Sequence, residues 1–99
     1  MNIKIQDINF TIKEELKAYV EKKVNKLSHY APDLNDASVV LTVVKPESKE
    51  NKTARITLEV PGPDLFSEKT ADSFEEAVTL ACEALEHQLE RLKDRRSGK

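Results

Sequence analysis

Glycine is almost missing from this chain, which has only Gly62 and Gly98, and no glycine-rich loop exists to wrap backbone N–H groups around a phosphate. Cys82 is the sole cysteine, so no disulfide can close within the chain, and a reducing compartment is expected. His29, His87 and Cys82 have no spacing that makes a recognisable zinc site, and no cofactor or metal is expected. Long apolar runs are absent too: no segment approaches the roughly eighteen apolar residues of a spanning helix. The start, MNIKIQDI, alternates apolar and polar residues where a leader would show a basic stretch followed by an apolar one. The expectation is a soluble, cytoplasmic protein that binds no membrane.

What is present is one domain's worth of sequence, 99 residues with 38% apolar and 34% charged side chains. A chain of this size buries about two thirds of the surface its unfolded state exposes, enough to fold without staples. Ile3 and Ile5 alternate with Lys4 and Gln6, the period of a strand with one buried face. From Ile12 the period changes, and Leu16, Val20, Val24 and Leu27 form one stripe of a helix that closes before Pro32. Thr11 and Glu14 have capping-box spacing, although a start one turn later fits equally well.

Residues 38–45, SVVLTVVK, are β-branched on both faces and read as a central strand. In KTARITLEV, Ala54, Ile56, Leu58 and Val60 take the inward face of a third strand and Arg55, Thr57 and Glu59 the wet one. Pro61 and Gly62 then suit the two central positions of a tight turn, leading to a fourth strand near Leu65 to Thr70. Ser73 and Glu76 repeat the capping-box spacing ahead of a long stripe: Phe74, Ala77, Val78, Ala81, Leu85, Leu89 and Leu92.

The fold class expected is therefore α+β, a two-layer β-α-β-β-β-α domain with a four-stranded mixed sheet and two parallel helices packed on one face. A right-handed crossover makes the first two strands parallel, and the meander that follows reverses direction twice. Each helix follows a strand of the same direction, so their C-terminal ends meet at one edge. Residues 1–96 form the domain, and 97–99 are read as a frayed basic tail.

Net charge is slightly negative, at −2, yet cations are concentrated at that edge. Lys22, Lys26 and His29 lie at i, i+4, i+7 on the first helix, with Lys23 close to its apolar stripe. On the second helix Glu83, Glu86 and Glu90 hold one flank and Gln88, Arg91 and Arg95 the other. From Arg91 onward the cations Arg91, Lys93, Arg95, Arg96 and Lys99 face Asp94 alone. Such residues at a helix C-terminus also complement its dipole, by about 0.3–1 kcal/mol each, and solubilise exposed faces. Their repetition on both helices, at the same end, favours a composite surface for phosphates.

Other nucleic-acid modules fit poorly. The sheet lacks the stacking aromatics of an RRM, and the chain lacks a GXXG loop. The last helix begins SFEE, an acidic start that repels phosphate where a double-stranded-RNA domain would carry lysines. His29 and His87, on exposed flanks, read as surface or polyanion contacts and not as general bases, so no enzyme is expected.

NIKI, LKAYVEKKVNKLSHY, VVLTV, ITLEVPGPDL, DSFEEAV and LEHQLERLK, in this order, resemble the short ribosome hibernation promoting factor family, which includes ribosome-associated inhibitor A. The resemblance implies binding to the small ribosomal subunit and its rRNA in the decoding channel, where family members block the mRNA and tRNA sites of idle ribosomes, with no DNA partner. By position it makes Lys22, Lys23 and Lys26 of the first helix, and His87, Arg91, Lys93 and Arg95 of the second, the RNA contacts. It also implies that the C-terminal dimerisation domain of long forms is missing, so that ribosome pairing would run through the ribosome or another pairing factor. Two features depart from the family pattern. Ile12, Lys13 and Glu14 replace a Thr-Pro start, and Ala84 to Glu90 carry fewer cations than expected, which implies weaker or more pH-sensitive binding. The alternative is a protein-interaction module that uses the acidic flanks or the outer sheet face around Val40 and Val44.

Overall fold

The computed structural model describes residues 2–31, 34–44, 47 and 49–97, with side chains as far as Leu92 in the last stretch. Four strands, β1 (Asn2–Ile8), β2 (Asp36–Val43), β3 (Lys52–Leu58) and β4 (Leu65–Ala71), form a sheet in the order β1-β2-β3-β4. β1 and β2 are parallel, and β2–β3 and β3–β4 are antiparallel. The mixed α+β architecture expected from the periodicity is thus the one observed. β2 is a central strand, as its valines on both faces require.

Side-chain alternation divides the sheet into two faces. Ala37, Val39 and Leu41 of β2 and Ala54, Ile56 and Leu58 of β3 are buried, whereas Ser38 and Arg55 are exposed. Helix α1 (Glu14–Asn25), continued by a 3-10 turn over Lys26–His29, and helix α2 (Phe74–Ser97) contribute to the same hydrophobic cluster as these inward residues. Val20, Val24 and Leu27 come from the first, and Ala77, Val78, Ala81, Leu85 and Leu89 from the second. Each fully buried Leu or Val stabilises the fold by about 1.5–3 kcal/mol relative to exposure.

One local feature differs from the sequence expectation. Helix α1 begins at Glu14, with Lys13 in the extended N-cap position and no side-chain cap, so Thr11 does not form a capping box. The reason lies upstream. Asn9, one of the residue types that tolerate the left-handed region, turns the chain with φ 69° and donates its side-chain N–H to the Val43 carbonyl. The Asp7 carboxylate then accepts the Ile12 N–H at 2.9 Å. By contrast, Ser73 caps α2 through the Glu76 N–H at 3.1 Å, and Gly62 takes the positive φ of 97° that its turn demands. Pro32, Gly98 and Lys99 lie outside the described residues.

Helix α2 is 24 residues long and so spans about 36 Å, whereas the seven residues of β4 span about 23 Å. Its C-terminal turns therefore extend beyond the sheet.

Candidate nucleic-acid interface

The relative direction of the helices can be read from three points of approach along them. Just ahead of α1, Phe10 stacks on Phe74 with ring centroids 4.4 Å apart. One helix face further on, the Tyr19 and Thr79 hydroxyls share a hydrogen bond of 2.8 Å. Beyond that, Lys23 lies near enough to Cys82 to act on its thiol. Both numbers rise together, so the helices run the same way.

The Tyr19–Thr79 bond also sets the register. On α1 the residues at i+4 and i+7 from Tyr19 are Lys23 and Lys26, and on α2 those at i+4, i+7 and i+11 from Thr79 are Glu83, Glu86 and Glu90. At equal rise per residue within the two helices, Lys23 stands level with Glu83, and Lys26 opens the 3-10 turn just beyond. Lys22, Lys26 and His29 are exposed. Lys23 is half-buried, with its ammonium 5.6 Å from the centre of the Tyr19 ring, a cation–π distance. Among the described residues only Arg55–Glu68 and His87–Glu90 approach within ion-pair distance, at 3.4 and 3.9 Å. The α1 lysines are accordingly near the glutamates but not engaged by them.

Cys82 lies between the two stripes and reports their charges. Burial pushes its thiol up to about 12, and Glu86 adds to the rise, while Lys23 opposes it and Glu83 contributes last. A thiol so placed stays protonated and unreactive at neutral pH.

Arg91 stands elsewhere. Gln88 donates from Nε2 to the Phe66 carbonyl at 3.0 Å, which turns this flank of α2 toward β4. Arg91, Leu92, Gln88 and Leu65 together line a shallow cavity of about 170 Å³. The cations of α1 and Arg91 thus share one end of the domain, but the Glu83, Glu86, Glu90 row runs between them. His87 is exposed on the solvent side, beside Glu90. The side chains of Lys93, Arg95 and Arg96 lie outside the described set.

A larger cavity, about 330 Å³, opens at the other end, where Phe10, Leu16 and Phe74 meet Lys13, Lys52 and Asp72 near both helix starts. No grouping of His, Cys, Asp and Glu suited to a metal ion occurs among the described residues, and no helix there is long and apolar enough to cross a membrane. The tyrosine–threonine anchor and the facing of the glutamates toward the α1 lysines went unread in the sequence, although Thr79 falls on the same stripe as Glu83, Glu86 and Glu90.

The β-α-β-β-β-α fold is shared with proteins of known structure. Residues 3–97 match the Sigma 54 modulation protein / S30EA ribosomal protein family, and the chain belongs to that family. A ribosome hibernation promotion factor from Deinococcus radiodurans is 32% identical over 88 residues, which cover 88% of this chain and 46% of the relative. The chain thus spans about half the length of the curated relative it matches. Among solved structures, the Thermus thermophilus Protein Y N-terminal domain superposes with a TM-score of 0.79 at 29% identity, over 93% of this chain and 99% of that one. A ribosomal subunit interface protein from Coxiella burnetii has the same fold, with a TM-score of 0.82 at 20% identity, over 94% and 98% of the two chains.

Proposed function

We propose that this domain is a ribosome-associated inhibitor of translation in the cytoplasm, one that binds rRNA in the decoding channel of the small subunit and occupies the mRNA and tRNA sites. It acts by steric exclusion, without catalysis. Lys22, Lys23, Lys26 and His29 approach the RNA from α1, and His87, Arg91, Lys93, Arg95 and Arg96 from α2. The observation that carries this reading is that Lys22 of α1 and Lys26 of the turn that continues it are exposed and form no ion pair among the described residues, in a chain that belongs to the S30EA ribosomal protein family. The alternative, a protein-docking module, draws less support. On the outer sheet face Val40 is half-buried and lies across from Arg55, which pairs with Glu68, so the face around Val40 and Val44 carries exposed charge beside its apolar groups.

Cosedimentation with purified small subunits across a salt series tests the proposal. If about five phosphates are neutralised, affinity falls by roughly two to three decades over a fourfold rise in salt. A Lys22→Glu, Lys26→Glu, Arg91→Glu variant should lose about half of that salt dependence together with most of its binding. Equal pelleting of variant and wild type would remove the reading.

A further inference from the structure

The glutamate row of α2 is the feature that an RNA-binding surface explains least. Glu83 and Glu90 are exposed and Glu86 is half-buried, so none is needed to fill the core. None pairs with a lysine across the seam at contact distance among the described residues, so they are not there to form salt bridges with α1. Yet packed helices have axes about 8–10 Å apart, which sets these carboxylates within roughly one Debye length of the α1 lysines at 0.1 M salt. Any phosphate strand lying on the lysines feels them.

Their position relative to Arg91 matters as much as their charge. Tyr19–Thr79 turns the acidic stripe toward α1, and Gln88–Phe66 turns the opposite flank, with Arg91, toward β4. A flexible strand that tried to use both the α1 lysines and Arg91 would have to cross the carboxylates. A folded RNA whose two backbones diverge across a groove could place one on each side.

We propose that Glu83, Glu86 and Glu90 are specificity determinants of this surface, which keep the α1 lysines and Arg91 apart and thereby reject unstructured single strands in favour of folded RNA. This rests on the RNA-binding reading above and narrows its substrate class. The repulsion acts on every polyanion, but only a ligand with separated backbones avoids it, so selectivity arises from shape and not from base sequence.

The experiment compares wild type with a Glu83→Gln, Glu86→Gln, Glu90→Gln variant and with a charge-matched control, Glu47→Gln, Glu50→Gln, Glu75→Gln, altered at the other end of the domain. Circular dichroism establishes that all three fold. Binding is measured at about 0.1 M salt to fluorescent poly(U), an unstructured strand, and to purified small subunits. Removing three carboxylates near the bound phosphates should raise poly(U) affinity by roughly five- to tenfold, against less than about twofold for the control, and should raise small-subunit affinity by a smaller factor. Unchanged poly(U) affinity, equal gains in variant and control, or equal gains on both RNAs would each overturn the inference. Failure of wild type to bind small subunits overturns the proposed function instead, and leaves the poly(U) comparison intact.

Discussion

The hydrogen bond between Tyr19 and Thr79 is the hinge of the interface geometry, and a double-mutant cycle isolates it. Both side chains are half-buried, and their hydroxyls lie 2.8 Å apart across the seam. Tyr19→Phe removes one hydroxyl and keeps the ring beneath the Lys23 ammonium, so the cation–π contact at 5.6 Å survives. Thr79→Val removes the other hydroxyl at nearly constant shape. A neutral hydrogen bond contributes about 0.5–1.5 kcal/mol net, and each single substitution should cost about 1 kcal/mol because it also leaves a hydroxyl with a poorer partner. In a domain of this size that is a fall in Tm of about 4–8 °C. The double variant should lose less than the sum of the two, with a coupling of about 0.5–1 kcal/mol, because no unmatched hydroxyl remains. Urea unfolding followed by circular dichroism measures all four corners. Fully additive losses would show that the bond does not couple the helices, and the register on which the facing of lysines and glutamates depends would lose its support.

Two further outcomes follow from buried groups. The folded Cys82 thiol is raised to about 12 from 9.0, so folding favours its protonated form. The resulting stability is complete below pH 9 and is lost between pH 9 and about 12, at about 1.4 kcal/mol per pH unit. A Cys82→Ala variant should therefore lack this component of the alkaline decline, which paired denaturation curves at pH 8 and 10 would reveal. Leu85, with no exposed surface at the middle of α2, should cost about 2–5 kcal/mol when replaced by Ala. A shift of less than about 1 kcal/mol in urea unfolding would contradict its place at the centre of the core.

Periodicity was sufficient for the parts of this protein that depend on near neighbours. The two-residue alternation of Ala54, Ile56, Leu58 and Val60, the helical stripe from Phe74 to Leu92, the Ser73 cap and the Gly62 turn each depend on spacing within a few residues, and each stands where the sequence puts it. The start of α1 was harder, because Asp7 and Asn9 act on it from the preceding strand and turn.

Charge was legible on each helix separately, down to the acidic and basic flanks of α2. Which flank meets α1 was not. That is decided by the rotation of α2 about its own axis and by the side on which its neighbour lies, and both depend on contacts between residues 60 positions apart at Tyr19–Thr79 and 22 apart at Phe66–Gln88. The amino-acid sequence by itself determined two co-directional helices with cations toward their C-terminal ends. Only the packing of those helices on one sheet turned the glutamates toward the lysines and Arg91 toward β4, because a helix surface acquires its neighbours only when the apolar stripes beneath it are buried together.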